Sequence, residues 1–205
     1  MTSMSDRPAF WVGADPGGAG RFGICVLNGN GDALASTVDC ADEAVSFVTK
    51  RCNEPPRGVG VDAPLWWSSG ISGDRSVDRW LRKRYGLASG TVQATNSLRG
   101  AALVQGVMFV ARLREQFPGL GVTETHPKAL LKACYRNNWK AFEKQNRVKW
   151  GGGSEDSRDA VLSAVAAREG FSGRWPNDLS QSRLSGEQDP KTYWLAPISY
   201  FWPES

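Results

Sequence analysis

One short segment constrains the fold of this chain more than any other, because it places a carboxylate at the end of a buried strand. Residues 58–67 read "GVGVDAPLWW", in which alternating valine and glycine lead directly into Asp62. A short run of small apolar residues is typical of a strand that is covered on both faces. A charged, unpaired carboxylate at the end of such a strand costs several kcal/mol. The chain must therefore fold into a sheet that brings a compensating partner, such as a cation, to Asp62.

Other acidic residues lie at comparable positions. The segment "FWVGADPGG" predicts a strand that ends at Asp15 in a Pro-Gly turn, and "LGVTETHP" predicts a strand that carries Glu124. A long helix is predicted over 155–170, and it contains Asp156 and Asp159. Apolar residues three and seven positions after Asp159 direct that carboxylate towards the core.

The order of the predicted elements favours an α/β fold. Three strands within residues 10–39 form a meander, and helices and strands then alternate. This order predicts a mixed five-stranded sheet with helices on both faces. We expect one domain over 1–205, with an irregular insertion at 66–99 that contains a short basic helix around 75–85. Residues 171–205 are expected to form an aromatic- and proline-rich C-terminal extension.

Composition limits the classes of protein to which the chain can belong. Its 205 residues carry a formal charge of +4, which permits an anionic partner without requiring one. The four cysteines lie far apart and include no CxxC pair, which favours buried thiols in a reducing compartment. The N-terminus does not have the pattern of a signal peptide, and no run reaches the roughly 18–20 apolar residues of a membrane span. We therefore expect a cytoplasmic protein with no membrane partner.

If the predicted strand ends and the last helix meet in the fold, their carboxylates form a cluster that is typical of a metal site. They repel one another and stay ionised only if a cation lies among them. Oxygen ligands select hard ions such as Mg²⁺ or Mn²⁺, and two such ions about 4 Å apart support phosphodiester cleavage. The expected metal ligands are Asp15, Asp62, Glu124, Asp156 and Asp159, and all except Asp156 are also expected to be catalytic.

Each acid also has a structural interpretation. Asp15 and Asp62 occur in sequences that form turns, and Glu124 is placed to cap the next helix or to pair with a lysine. Asp156 lies in a first helical turn, where the helix dipole favours an acid without any metal. The ordered set of acids is more persuasive than any one of them.

Five segments resemble, in order, the motifs of domain of unknown function family 429, which is described as predicted nucleases with an RNase-H-like fold. These segments are "VGADPGGAGRFGICVL", "VGVDAPL", "RSVDRWLR", "TETHPKALL" and "EDSRDAVLSAVAA", and they span residues 10–168. The first and last are also similar to motifs of the RuvC class of Holliday-junction resolvases. The resemblance implies an RNase-H-like sheet, with Asp15, Asp62 and Asp159 as the metal-binding acids. The third motif implies a further site at Arg75, Asp78 and Arg82, and we expect its two arginines to contact substrate.

Basic residues between the Glu124 strand and the Asp159 helix suggest a surface for a polyanion. They recur every four positions, at Lys132, Arg136, Lys140 and Lys144. On one continuous helix they form a cationic stripe that suits a nucleic-acid backbone, although a solvated charged face is the ordinary alternative. The only histidine, His126, either contacts a phosphate near the metals or has a structural role before Pro127.

The leading hypothesis is a metal-dependent nuclease that acts on DNA or RNA. Ions held by the carboxylates would activate a water molecule as nucleophile, and the cations would bind the substrate backbone. One alternative is a nucleotide-dependent phosphotransferase of the actin–hexokinase type, although that class resembles two RNase-H-like sheets and this chain has residues for one. Another alternative is a non-catalytic nucleic-acid-binding protein that retains a metal site.

Overall fold

The computed structural model describes residues 9–68, 73–95, 98–181, 191–193 and 197–203. The strands are β1 (Phe10–Asp15), β2 (Phe22–Asn28), β3 (Asp32–Val38), β4 (Val59–Val61), β5 (Trp66–Ser68), β6 (Val122–Glu124), β7 (Lys149–Trp150), β8 (Asn177–Asp178), β9 (Lys191–Tyr193) and β10 (Phe201–Trp202). The helices are α1 (Ala41–Thr49), α2 (Ser76–Tyr85), α3 (Gly100–Gln116), α4 (Pro127–Tyr135), α5 (Trp139–Asn146) and α6 (Glu155–Phe171). Among the described residues, no helix is both long enough and apolar enough to cross a bilayer.

A mixed six-stranded sheet in the order β6-β4-β1-β2-β3-β7 forms the centre of the fold. Strands β1, β2 and β3 are the predicted antiparallel meander, and β4 and β6 extend it in parallel on the β1 side. The predicted α/β class with a mixed sheet is therefore confirmed. The sheet has six strands rather than five because β7 pairs in parallel with the start of β3. Two residues are too few to give a periodic signal in the sequence.

Helix α6 packs on one face of this sheet at very short distance, because the strands present glycine to it. A Cβ atom added at Gly13 would lie 2.0 Å from a main-chain oxygen of α6, and one at Gly60 would lie 2.1 Å from another. Side chains alternate between the two faces of a strand. Phe22, next to a third such glycine, therefore points away from α6 and contacts Phe109 of α3, with ring centroids 5.6 Å apart. Helices thus cover both faces.

The described parts of the predicted C-terminal extension complete the edge of the sheet at β6. The Ser199 amide donates to the carbonyl of Val122, and the Ser199 carbonyl accepts from the amide of Glu124, both at 2.9 Å. Tyr200 and Trp202, which follow, are buried. This segment is therefore part of the folded core.

The predicted insertion contains the expected short basic helix, which is α2. The first residues of the insertion form β5, which pairs with β9 from the C-terminal extension. The Trp66 side chain is buried and lies edge-on to Tyr200, with ring centroids 6.0 Å apart. Insertion and extension are therefore packed together, although parts of both lie outside the described residues.

The basic segment after β6 forms two helices, so the expected continuous stripe is wrong. Helix α4 ends because Arg136 and Asn137 adopt left-handed backbone conformations, with φ of 52° and 59°. The side chain of Asn138 then caps α5 by accepting a hydrogen bond of 3.0 Å from the Ala141 amide. Lys132 lies on α4, while Lys140 and Lys144 lie on α5.

We expect Gly60→Ala to destabilise the protein by about 1–3 kcal/mol or more, because the new methyl group would overlap the main chain of α6. Urea unfolding followed by circular dichroism measures the change. Gly90→Ala is the matched control, since a Cβ atom there meets nothing within 4 Å. Equal stability of the two variants would show that α6 does not pack directly against Gly60.

Candidate metal centre

Strand pairing brings Asp15 and Asp62 together at one end of the sheet. Gly13 pairs with Gly60 in the parallel β1–β4 ladder, and the Asp62 amide donates to the carbonyl of Ala14 at 2.8 Å. Each aspartate lies two residues after a glycine that faces α6. Because side chains on a strand alternate with a period of two, both carboxylates point towards α6.

Asp159 reaches the same position from the N-terminal half of α6. One oxygen from each of Asp15, Asp62 and Asp159 lies within 4.8 Å of the other two, and we call these three residues the carboxylate triad. Asp159 is fully buried, and its Oδ1 accepts hydrogen bonds of 2.8 and 3.0 Å from Arg158. Its buried Oδ2 accepts no hydrogen bond within the described part of the chain, and Lys128 Nζ lies 4.0 Å away.

Burial and mutual repulsion disfavour the charged forms of the triad. Burial, followed by the charges of Asp159 and Asp156, raises the pKa of Asp15 to about 8. Burial also raises the pKa of Asp62 well above its ordinary range, and the nearby Asp15 carboxylate adds to this shift. The pKa of Asp159 is raised by burial in spite of its contact with Arg158. Either protons or a cation must therefore compensate these groups at neutral pH.

The donors of the triad fit a hard divalent cation. They are all carboxylate oxygens, which Mg²⁺ and Mn²⁺ prefer over nitrogen or sulfur. The buried Oδ2 of Asp159 is an orphaned acceptor that a bound ion would satisfy. The expectation that Asp15, Asp62 and Asp159 converge is therefore met in the geometry, whereas metal binding itself stays a prediction.

Glu124 does not join these acids, so the expectation that it is a metal ligand beside them is wrong. Glu124 pairs with Val61 in the β4–β6 ladder, which turns its side chain to the face opposite that of Asp62. The next residue, Thr125, faces α6 instead, and its hydroxyl lies 2.8 Å from that of Ser163. A difference of one residue in strand register therefore removes Glu124 from the site.

Glu124 belongs to a buried ion-pair network on the other face. Arg75 donates to both Glu124 oxygens at 2.5 and 2.9 Å, and to both Asp78 oxygens at 2.8 and 2.9 Å. All three side chains are fully buried, and the Arg75 guanidinium lies 4.4 Å from the Trp66 ring centroid. The expected contact of Arg75 with substrate is therefore wrong, because its guanidinium is fully buried and bonded to two carboxylates.

Arg82 and His126 also make internal contacts. Arg82 pairs with the carboxylate of Asp74 and donates to the carbonyl of Val92 at 2.9 Å. His126 Nδ1 lies 2.8 Å from the Tyr200 hydroxyl, and the two rings are stacked. Burial lowers the pKa of His126 to about 4, so its imidazole is neutral at physiological pH. These contacts favour structural roles for both residues over the expected contacts with substrate.

Asp156 lies beside the triad but outside it. Its carboxylate accepts hydrogen bonds of 3.2 and 3.3 Å from the exposed Arg21 side chain. Lys128 and Arg158, which do contact Asp159, were not among the expected site residues. Two features of the sequence could have identified these residues. Lys128 lies at the start of the helix after β6, and Arg158 is adjacent in sequence to Asp159.

The expected basic residues are exposed, and two of them lie away from the triad. Lys140 and Lys144 line a cleft together with Asn30 of the β2–β3 turn. This turn is at the end of the meander where Phe10 pairs with Asn28, whereas Asp15 is at the other end. Lys132 and Arg136 are exposed but are not among the residues that line this cleft.

Neither a scan against models of protein families nor searches of curated proteins and solved structures found a significant match. Fold and site thus define a mixed α/β protein with a candidate carboxylate metal centre. Membership of the family of predicted nucleases that its motifs resemble stays a prediction.

The raised pKa of Asp15 predicts that the metal-free protein loses stability as pH rises. The folded state holds a proton up to a pKa of about 8, whereas an unfolded aspartate releases it near 3.8. Folded molecules therefore bind more protons between these values, and the free energy of unfolding decreases as pH rises through this range. Thermal unfolding in EDTA should show a smaller decrease between pH 5 and pH 8 for Asp15→Asn than for the wild type.

Each kcal/mol corresponds to about 2–4 °C in the melting temperature of a domain of this size. The exposed Asp42 provides the control, because Asp42→Asn makes the same chemical change away from the triad. Millimolar Mg²⁺ or Mn²⁺ should stabilise the wild type at pH 8 and stabilise Asp15→Asn less. Identical pH profiles for all three proteins would contradict the raised pKa of Asp15 in the triad.

Glu124→Gln should lower stability without abolishing metal binding. Removing one charge from a buried ion pair costs up to about 3–5 kcal/mol, because the partner loses its compensation. Urea unfolding measures this loss, and titration calorimetry with Mn²⁺ measures affinity under conditions where the variant is folded. A loss of Mn²⁺ binding as large as that of Asp62→Asn would return Glu124 to the metal site.

Proposed function

We propose that this protein is a metal-dependent hydrolase of phosphodiester bonds in nucleic acid. The observation that supports it most directly is the convergence of Asp15, Asp62 and Asp159 at one end of the sheet. The three-strand meander with parallel strands on one side also agrees with the RNase-H-like fold that the sequence motifs imply.

The residues of the triad divide the work of such a site. A bound Mg²⁺ or Mn²⁺ would supply Lewis acidity and lower the pKa of a water molecule. Strand pairing fixes the main chain at both aspartates, since Asp15 pairs with Gly23 and the Asp62 amide donates to the carbonyl of Ala14. Arg158 fixes the Asp159 carboxylate through Oδ1 and leaves Oδ2 for a ligand. Lys128, which also pairs with the exposed Glu155, adds positive charge where a phosphate would approach.

The number of bound ions depends on Asp156. Because Glu124 points away and Asp156 lies outside the cluster, the triad supplies three carboxylates rather than the five that were expected. Asp156 is the nearest further acid in sequence, and its partner Arg21 is exposed enough to release it. We propose that the triad holds one ion, and that a second ion can bind only if Asp156 leaves Arg21 and becomes a ligand.

A reducing, cytoplasmic location agrees with the cysteines. All four are free thiols in the structure, and Cys25 and Cys52 are buried. Burial raises the pKa of Cys52 and of Cys134 to about 11, which keeps these thiols protonated and unreactive.

A panel of single-stranded, duplex, hybrid and branched nucleic acids tests the proposed activity. Cleavage should require Mg²⁺ or Mn²⁺ and stop in EDTA. Asp62→Asn should lower the rate by at least about 100-fold, because even residues that merely support metal ligands contribute about 10- to 100-fold. The amide keeps the shape of the side chain, so circular dichroism should be unchanged.

Asp42→Asn is the matched control for this loss and should cleave at the wild-type rate. Wild-type cleavage by Asp62→Asn would contradict the proposed metal site. Metal binding without cleavage of any substrate in the panel would favour the non-catalytic alternative. Hydrolysis or transfer from a titrated nucleoside triphosphate would favour the phosphotransferase alternative.

A further inference from the structure

A cationic cleft lies at the end of the sheet far from the carboxylate triad. It has a volume of about 900 Å³ and runs between α5 and the β7 edge. We call it the basic cleft and define it by five of its lining residues: Lys140, Lys144, Arg147, Lys149 and Trp150. Among the residues that line it, the one acid is Glu143. The balance of charge in the cleft therefore favours an anionic ligand.

Most of these cations are available to a ligand. Lys140, Lys144 and Arg147 are exposed and form no ion pair within the described residues. Lys149 pairs with Asp32 at 3.3 Å, but both side chains are more than half exposed, so solvent weakens this pair. Lys140 and Lys144 are one helical turn apart, about 6 Å along the axis. A polyanion can therefore contact several of them at once.

The backbone of Arg147 is held in a conformation that costs free energy. Its φ is 51°, in the left-handed region where non-glycine residues are uncommon. This residue ends α5, and its carbonyl would lie 1.9 Å from a Cβ atom at Gly31. This contact holds Arg147 tightly against the β2–β3 turn. A neighbouring cavity has a volume of about 600 Å³, and Arg147 lines both this cavity and the basic cleft.

Two further arginines extend the positive charge into that cavity. Arg168 and Arg174 both line that cavity and both bind the Glu169 carboxylate. Arg168 Nε donates to Oε1 at 2.7 Å, and Arg174 Nη2 donates to the same oxygen at 2.9 Å. One carboxylate is thus shared by two guanidinium groups, which leaves a positive charge uncompensated within this trio. Arg147, which lines both the basic cleft and this cavity, connects the positive charge of the two.

An aromatic ring is fixed in the same cleft. Trp150 lines it, half-buried, and packs edge-on to Trp139 with ring centroids 5.2 Å apart. Cations that follow a phosphate backbone, together with an aromatic ring on which a base can stack, are typical of surfaces that bind single-stranded nucleic acid. An acidic peptide would use the charges but not the ring, and the bases of a duplex are already stacked on one another.

We propose that the basic cleft binds single-stranded nucleic acid, with phosphates on Lys140, Lys144 and Arg147 and a base against Trp150. The cleft is separate from the triad, because five residue steps along β1 separate the two ends of the sheet by about 17 Å. Binding here does not depend on a metal ion or on hydrolysis. A strand held in the cleft would be anchored some distance from any bond that the triad cleaves.

Fluorescence anisotropy with a labelled oligothymidylate in EDTA tests the proposal without involving the triad. Lys140→Ala combined with Lys144→Ala should weaken binding about tenfold at low salt. It should also reduce the slope of log affinity against log salt by about 1.4, since each phosphate contact on a single strand contributes about 0.7. Lys50→Ala combined with Lys83→Ala is the matched control, because it removes the same charge from exposed lysines outside the cleft. This control should leave both affinity and slope near the wild-type values.

Two further measurements separate base stacking from charge. Trp150→Ala should weaken binding about 5- to 150-fold, while Trp150→Phe keeps a ring and should retain most of the affinity. Thermal unfolding shows whether each variant is folded, and the phenylalanine variant keeps the test valid if the alanine variant is not. Equal losses for the two lysine pairs would overturn the proposal. Preference for duplex over single strand, or competition by polyglutamate as strong as by unlabelled oligonucleotide, would overturn it as well.

Discussion

The close contact between α6 and the glycines of β1 and β4 determines where the candidate site can form. There is no space for a side chain at Gly13 or Gly60, so the helix lies with its main chain against the sheet. From Asp159 to Gly170 every residue of the helix is buried. Asp159 therefore reaches the ends of β1 and β4 already desolvated, beside two aspartates that follow those glycines. The same packing that stabilises the core thus creates the cluster of uncompensated charge.

The buried carboxylates on the two faces of the sheet differ in how completely they are hydrogen-bonded. On one face, both oxygens of Glu124 and both oxygens of Asp78 accept hydrogen bonds from Arg75, although one guanidinium neutralises only one of these two charges. On the other face, Asp159 keeps a buried oxygen without a hydrogen bond among the described residues. An unsatisfied buried acceptor costs free energy, which a bound cation would recover. This contrast is the main physical reason to assign a ligand to the triad and none to Glu124.

Much of this arrangement was predictable from sequence, and the errors have identifiable physical causes. Strand periodicity and turn residues located the meander, β4 and the acids at the strand ends. Glu124 was misplaced because periodicity does not determine strand register, and a shift of one residue changes the face. The cationic stripe was misplaced because nothing in the spacing of its lysines showed that Arg136 and Asn137 have positive φ. Arg75 was misassigned because its burial depends on segments distant in sequence, including Trp66 and Glu124.

The pairing of Ser199 with β6 has a consequence for how the chain is made. The first strand begins at Phe10, but its covering helix begins at Glu155 and the last pairing partner of the sheet lies at Ser199. During synthesis the meander and β4 therefore emerge long before the helix that covers their glycine-rich face. Contacts between residues so far apart in sequence slow folding and leave apolar surface exposed in the meantime. The glycine-rich face of the sheet therefore stays uncovered until the segment from Glu155 to Ser199 has been synthesised.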